Sequence, residues 1–336
     1  MSKHEMVTST PAVSHKTQPT SPTRQKTVLV LGGYGFVGRH TVRALQRHNV
    51  RVLIGTRGKG KSIANDTERF ISLHKALRAA DWHTVLEGVD AVINTVGILR
   101  ERRGEGYDAV HNRGPEALAK ACRKRNITLI HMSALGIEDS SPNRYTLSKL
   151  NGENALTQSG CTGSIVRTSV VNAVDGYGSG WLYRVACWPV WMVPAGAVHL
   201  LSPIEADDVG EALAQLAIQP HAARMQLVEL GCGESFTLLD YLTKLRQSVD
   251  PSLPAPLFTI RVPQTIARFF AHLFDWLHIT PYSIGHHELL EADNVPFDNQ
   301  LQRILGRAPT RIGGSAITAH NLTAVQAKRK LERIAQ

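Results

Sequence analysis

A chain of 336 residues, 43% hydrophobic and 20% charged, has a globular composition and enough length for a large core. No apolar run reaches the about 18 uncharged residues of a membrane span: the nearest, "GSGWLYRVACWPVWMVPAGAVHLL", carries Arg184 and two prolines. Cys122, Cys161, Cys187 and Cys232 form no CxxC pair, which argues against a metal cluster or disulfide framework. The net charge of +10 is dispersed without a nucleic-acid-binding motif, so neither nucleic acid nor a metal is an expected partner.

In chain order, residues 1–26 are rich in Ser, Thr, Pro and Lys and predict a disordered tail. From residue 27 a rhythm sets in. "TVLVLGG" reads as a strand, "GRHTVRALQRHN" as a helix and "VRVLIGTR" as a strand. "FISLHKAL" is a less regular strand and "DWHTVLEGV" a short helix. "DAVINTVG" is a strand, "GPEALAKACRKRN" a helix, "ITLIHMSA" a strand, "PNRYTLSKLNGENALTQSG" a helix and "TGSIVRTSVV" a strand. Strands alternating with helices predict an α/β fold, a Rossmann-type doubly wound parallel sheet over residues 27–175. Residues 176–336 are expected to form a smaller mixed C-terminal substrate or partner region interleaved with it. There "GWLYRVACWPVWMVPAG" reads as a helix and a proline-rich loop, and "IEADDVGEALAQLAIQ" as a helix with an acidic start. "MQLVELGCGESFTLLDYLTKLRQ" reads strand, turn, helix, and "RVPQTIARFFAHLFDWLHI" as an amphipathic helix.

The first strand runs into "GGYGFVG". Gly33, Gly35 and Gly38 fit G-x-G-x-x-G; Gly32, Gly35 and Gly38 fit G-x-x-G-x-x-G. In either pattern glycines allow a tight turn and bring a pyrophosphate against the backbone amides that open the next helix, here those of Tyr34, Phe36 and Val37 as well. The strand before and the helix after mark a dinucleotide site. At the end of the second strand an NAD site places an acid on the ribose, but "IGTRGKGK" offers Thr56, Arg57, Lys59 and Lys61. A guanidinium at Arg57 suits a 2′-phosphate, so NADP(H) is expected over NAD(H).

"SPNRYTLSKLNGE" contains Tyr145 and Lys149, an i, i+4 pair on one helix face. A cation beside a phenol favours phenolate, and such a tyrosine exchanges a proton with a carbonyl or alcohol oxygen. Ser133, at the end of a strand, is placed to orient the same oxygen.

With these residues the chain resembles a short-chain dehydrogenase/reductase of the extended or atypical kind. More narrowly it resembles the group typified by the 39 kDa NAD(P)H-binding accessory subunit of respiratory complex I and its bacterial relatives. "VLGGYGFVGRH", "DAVINTVGIL", "VHNRGPEALAKAC", "IHMSALGIEDSSPNRYTLSKLNGE", "IVRTSVV", "PIEADDV", "VELGCGESFTLLDYL" and "LLEADNV" carry the likeness over residues 27 to about 312. It implies that Val96 and Gly97 face the adenine–ribose side of the cofactor. It places Ser133, Tyr145 and Lys149 at the nicotinamide, with Ser169 and Val170 near that end. Three departures stand out: Leu77 or Arg78 replaces an acid near adenine, Thr168 replaces a proline, and His111 replaces an Asn that supports a proton relay.

The implied function is an NADP(H)-preferring oxidoreductase linked to complex I or quinone metabolism. The alternatives are a non-catalytic NADPH-binding assembly protein and a sugar-nucleotide epimerase- or dehydratase-like enzyme. The expected place is the cytoplasm, or the inner membrane periphery (the mitochondrial matrix in a eukaryote). A lipid-like or quinone substrate and a respiratory-complex or membrane contact fit the basic chain and the aromatics Trp181, Trp188, Trp191 and "ARFFAHLFDWLHI". Adjacent His286, His287 and Glu288 do not converge on a metal. Glu205, Asp207 and Asp208 in "EADD" read as capping and dipole residues of a helix start.

Overall fold

The computed structural model describes residues 24–57, 67–102, 104–137, 144–219, 224–277 and 280–313. Residues 1–23 of the expected tail, and Lys59 and Lys61, lie outside them. Arg24 already ion-pairs with Asp90. In chain order the elements are β1 (Lys26–Leu31), α1 (Phe36–Gln46), β2 (Val50–Thr56), β3 (Glu68–Phe70), β4 (Ala91–Asn94), α2 (Gly114–Lys124), β5 (Thr128–Ala134), α3 (Arg144–Gln158) and β6 (Gly163–Thr168). The second part adds β7 (Val171–Asn172), α4 (Ser179–Ala186), β8 (Val190–Pro194), β9 (Ile204–Glu205), α5 (Ala206–Ile218), β10 (Met225–Leu230) and α6 (Leu238–Val249). Last come β11 (Phe258–Val262), α7 (Gln264–Leu277), α8 (Ile284–Leu289) and α9 (Leu301–Leu305).

Seven strands form one parallel sheet in the order β10-β6-β5-β4-β1-β2-β3. This is the doubly wound Rossmann architecture. Period-two alternation sends Val28 and Val30 to one face and Leu29 and Leu31 to the other, and both faces are covered. On one side α1 and α5 pack Leu45, Val209 and Leu213 onto Val30, Ile93, Ile130 and Val166. On the other, α2 and α3 supply Leu118, Cys122 and Leu156 against Leu29, Leu53, Val92 and Leu129. A third core, around Tyr183, Trp191, Phe236, Tyr241 and Leu245, belongs to the C-terminal part. That part also lends β10 to the main sheet, paired with β6 from Met225↔Gly163 to Leu230↔Thr168.

Several elements differ from the sequence reading. "FISLHKAL" contributes only Phe70 to a strand; Lys75 and Ala76 donate to the Ser72 carbonyl in tight turns that drop Leu73 and Ala76 into the core. "DWHTVLEGV" opens inside a single 3-10 turn, Ala79–Trp82, anchored by the buried Trp82 indole donating to the Ala76 carbonyl, and continues as turns rather than a helix. The proline-rich loop is a strand, β8, paired in parallel with β11. Its prolines stand just before it and at its last residue, where a missing N–H costs no ladder bond. The three tryptophans part company: Trp191 is core, Trp181 packs on that core, and Trp188 is exposed.

The "EADD" run does open α5, with Glu205 at the cap position and Asp207 and Asp208 in the first turn, but Glu205 makes no side-chain cap bond. All three carboxylates serve tertiary partners instead. Asp207 meets His40 at 2.6 Å, and buried Asp208 accepts from Arg307 (2.5 Å) and the Thr310 amide (2.6 Å). Glu205 accepts from Asn172 at 2.7 Å. Burial pushes the Glu205 carboxyl up to about 7, with Asp208 and Asp207 adding to it against the Asn172 hydrogen bond. The folded protein therefore binds this proton more tightly than the unfolded chain. The stability it contributes is present below the ordinary carboxylate range and is lost as pH rises through about 7. Urea unfolding at pH 5 and pH 8 is expected to show a decline that Glu205→Gln makes shallower by ~1–3 kcal/mol; parallel profiles for the two proteins would refute it.

Candidate functional site

The sheet order reverses between β1 and β4, and the crevice of a doubly wound sheet opens at such a switch point. The residues there are the expected ones. After β1 the chain turns at Gly32, which has φ +76°, and the Gly35 amide donates back to the Gly32 carbonyl at 2.7 Å. After β4, Thr95 is tied to Leu31 by its amide (3.1 Å) and hydroxyl (2.8 Å). A Cβ on Gly32 would stand 3.0 Å from Thr95 Oγ1 and 3.2 Å from Val96 Cγ2, so Gly32 and Val96 line the same crevice. Helix α1 starts at Phe36 with Gly35 as its cap and no side chain bonded to its first turn. The amides of Phe36, Val37 and Gly38 thus have neither an intrahelical acceptor nor a capping oxygen, and they carry the positive end of the helix dipole. A dinucleotide pyrophosphate fits this cradle.

The neighbours are more varied. Gly33 lies over Ile54, Tyr34 is exposed with its hydroxyl donating to Glu68, and Phe36 meets the His40 ring edge-on at 5.7 Å. Val96 donates its amide to Asn94 Oδ1 at 3.1 Å, and Gly97 is exposed beside His111, where a Cβ would stand 3.7 Å from Nε2. Arg57 extends from the end of β2 to Glu105, at 2.5 Å. Ser169 and Val170 stand past β6, yet their polar groups are spent within the chain. The Ser169 hydroxyl donates to the Asn294 carbonyl (2.8 Å) and accepts from the Ser202 amide (3.1 Å), and the Val170 carbonyl accepts from the Ile204 amide (2.9 Å).

Tyr145 and Lys149 share one face of α3, with Lys149 Nζ 5.7 Å from the Tyr145 ring centre. Tyr145 borders a cleft with Leu99, Ser283, Gly285 and Leu289. The expectation that the cation lowers the tyrosine pKa is corrected here: burial, helped by Tyr107, raises it. Burial also presses Lys149 down to about 8, against the pull of Glu153, so the pair shares the cost of a dry site. Ser133 Oγ, at the end of β5, is buried without a hydrogen-bond partner. A buried orphan hydroxyl is costly unless a ligand oxygen satisfies it.

The structure adds a residue whose role the sequence did not reveal. A π-helical turn, Asp108–Arg113, leads into α2 and carries buried His111. The Ile98 amide donates to His111 Nε2 at 3.1 Å, which leaves the proton on Nδ1. Nδ1–H donates to Ser148 Oγ at 2.9 Å, and Ser148 donates to the Tyr145 carbonyl at 2.7 Å. Burial, with Lys149 and His131 nearby, holds His111 well below its ordinary pKa, hence neutral. Its ring stacks on Tyr107 and meets Tyr145 edge-on, both at 5.5 Å. Helix α3 is locked against this turn at Gly152, where a Cβ would lie 1.9 Å from the His111 carbonyl oxygen. Among the described residues no group of three or more His, Cys, Asp or Glu side chains could hold a metal ion.

The comparisons agree with this architecture. The sequence profile of the RmlD substrate binding domain matches residues 26–222. Ceramide reductase of Caulobacter vibrioides is 29% identical over 155 residues, 46% of this chain and 47% of that one; the match spans about half the length of that relative. The mitochondrial NADH dehydrogenase [ubiquinone] 1 alpha subcomplex subunit 9 of Dictyostelium discoideum is 21% identical over 317 residues, 91% of this chain and 83% of that one. The solved UDP-glucose-4-epimerase of Stenotrophomonas maltophila with bound NAD superposes with a TM-score of 0.62 at 17% identity, covering 91% of this chain and 100% of the other. At that identity the likeness speaks for the fold.

Proposed function

The chain belongs to the family of the RmlD substrate binding domain, within the short-chain dehydrogenase/reductases, and from that premise we propose that it is an NADP(H)-dependent oxidoreductase that reduces the carbonyl of an apolar, lipid-like or quinone substrate. The observation that carries the reading is the Tyr145 and Lys149 pair at the edge of a cleft walled by Leu99 and Leu289. A ceramide reductase and a subunit of a ubiquinone-linked dehydrogenase among the relatives support a substrate of that class. The reading places the protein in the cytoplasm, in contact with a respiratory complex or the inner membrane surface.

In this proposal Gly32, Gly35, Phe36, Val37 and Gly38 hold the pyrophosphate, while Gly33, Tyr34, Val96 and Gly97 wall the adenosine side. The reduced nicotinamide, when bound, supplies hydride to the carbonyl carbon. Tyr145 gives its hydroxyl proton to the carbonyl oxygen, so the product is the alcohol and the tyrosine is left as phenolate. Lys149 offsets that charge until water returns the proton. Ser133 donates its unpaired hydroxyl hydrogen to the same oxygen. Ser148 and His111 hold the carbonyl end of Tyr145 still.

Arg57 is the proposed partner of a 2′-phosphate, which would replace Glu105 as its anion. Calorimetry should give tighter binding of NADPH than NADH, and Arg57→Ala should weaken NADPH about tenfold while moving NADH by less than about twofold. Equal or tighter NADH binding by the parent protein defeats the NADP(H) assignment. NADPH oxidation dependent on an added long-chain ketone or quinone tests the activity; its absence across both classes counts against an enzyme. One observation favours a second reading, a protein that keeps the nucleotide without turnover: both ring nitrogens of His111 are committed to Ile98 and Ser148. No proton then passes through the position where relatives place a relay Asn.

A further inference from the structure

Helix α7 is built the wrong way round for a helix that serves only its own core. An amphipathic surface helix ordinarily turns its apolar stripe inward. In α7 the buried residues are Ala267 and Ala271 alone. At 100° per residue, Ile266, Phe269, Phe270, Leu273, Trp276 and Leu277 fall on a different face, whose centre lies more than a third of a turn away. Five of these six are exposed; Phe269 shows 63% and Trp276 77% of its surface. The aromatic rings cover one another, Phe269 on Phe270 and Phe270 on Phe274, each pair at 5.8 Å, and leave the outer side of the stripe open.

The exposure continues into the element just before the helix. Strand β11 ends at Val262 and α7 begins at Gln264. Phe258 and Ile260 point to one side of β11 and are exposed, as is Met192, the β8 partner of Ile260. The charges of the stretch are one-signed. Arg261 and Arg268 are exposed, whereas the acid of α7, Asp275, is neutralised by Arg100 at 2.6 Å. An aromatic, aliphatic face bordered by the exposed Arg268, on a chain of net charge +10, is complementary to an apolar layer under anionic headgroups.

We propose that α7 and β11 dock this protein on the surface of an anionic lipid bilayer, with Phe269, Trp276 and Leu277 in the headgroup–acyl boundary and Arg268 on phosphates. No helix of the described residues is long and apolar enough to cross a membrane, so the contact lies in the interface plane. Helix α7 is tied to the cleft wall through its inner side, away from the docked face. Arg100, next to Leu99 of the cleft wall, holds both Asp275 and the Tyr282 carbonyl (2.9 Å), and Asp275 accepts the Ile284 amide (2.9 Å) that starts α8. The docking itself does not rest on the proposed oxidoreductase function.

The test needs neither cofactor nor turnover, so its outcome is separable from that function. The full chain is spun with phosphatidylcholine vesicles with and without phosphatidylglycerol at low salt. The protein should pellet with the phosphatidylglycerol vesicles, and Phe269→Ser with Trp276→Ser should cut the bound fraction about tenfold. The melting temperature should change little, because both side chains are more than half exposed. Protein remaining in the supernatant, or a double variant that binds as well as its parent, overturns the proposal. So does a dimer in light scattering that the same substitutions dissolve, since the face would then join two copies.

Discussion

Replacing Tyr145 by phenylalanine is expected to lower NADPH-dependent turnover about 10²- to 10⁴-fold, the usual contribution of a positioned general acid, while NADPH affinity stays within about twofold. The two effects separate because of where the hydroxyl sits. The proposed nucleotide contacts at Gly32, Gly35 and the start of α1 are backbone groups at the switch point between β1 and β4. Tyr145, on α3, faces the cleft of Leu99 and Leu289. The ring itself is held by Tyr107 and His111 edge-on contacts at 5.7 and 5.5 Å, which phenylalanine keeps. The raised pKa of Tyr145 adds a condition: proton donation is available throughout the neutral range. A rise in activity through pH 8 would instead point to Lys149, which loses its charge near there. Full activity in the variant would show that Tyr145 does no acid chemistry, and a parent protein that binds NADPH without turnover would favour the holding role.

The sheet and the cradle were legible in the sequence because local patterns specify both. The run Val28–Leu31 puts apolar side chains on both faces, and the glycines after it follow from the turn they must make. What was not legible depends on distant partners. β8 looked like a loop because Pro189, Pro194 and two tryptophans resemble irregular chain, and only β11, more than sixty positions later, gives it a ladder. Helix α7 was legible as amphipathic, but periodicity says that a stripe exists and not what it faces. His111 was noticed as a departure from its relatives, yet its bonds to Ile98 and Ser148, 13 and 37 positions away, required the fold. "IHMSALGIEDSSPNRYTLSKLNGE" and "LLEADNV" are distant segments of the sequence. In space they are one feature: Asn294 Nδ2 donates to the Leu135 carbonyl at 2.8 Å, and its own carbonyl takes the Ser169 hydroxyl.

Gly38→Ala is expected to remove measurable nucleotide binding and to destabilise the protein by ~1–3 kcal/mol or more, the range for overpacking a filled site. A methyl at Gly38 would stand 2.0 Å from the Gly32 carbonyl oxygen, 2.7 Å from its carbon and 2.8 Å from Gly33 Cα. All three are backbone atoms of the turn, so no side-chain rotation relieves the clash. Helix α1 must move off β1 and take the first-turn amides with it. The same geometry decides between the two overlapping glycine patterns. Gly32 carries a positive φ and crowds Thr95 and Val96, whereas a methyl at Gly33 meets the Ile54 side chain at 2.8 Å, which can shift. Gly32→Ala should therefore approach Gly38→Ala in severity, and Gly33→Ala should be milder than both, with nucleotide affinity reduced but measurable. Gly178→Ala serves as the reference, since no atom lies within 4 Å of its methyl and its φ is −77°; it should shift stability by less than about 0.5 kcal/mol. Urea midpoints separate a loss of binding from a loss of folding. A Gly38→Ala protein that folds and binds NADPH like its parent would mean that the nucleotide does not sit in the β1–α1 turn.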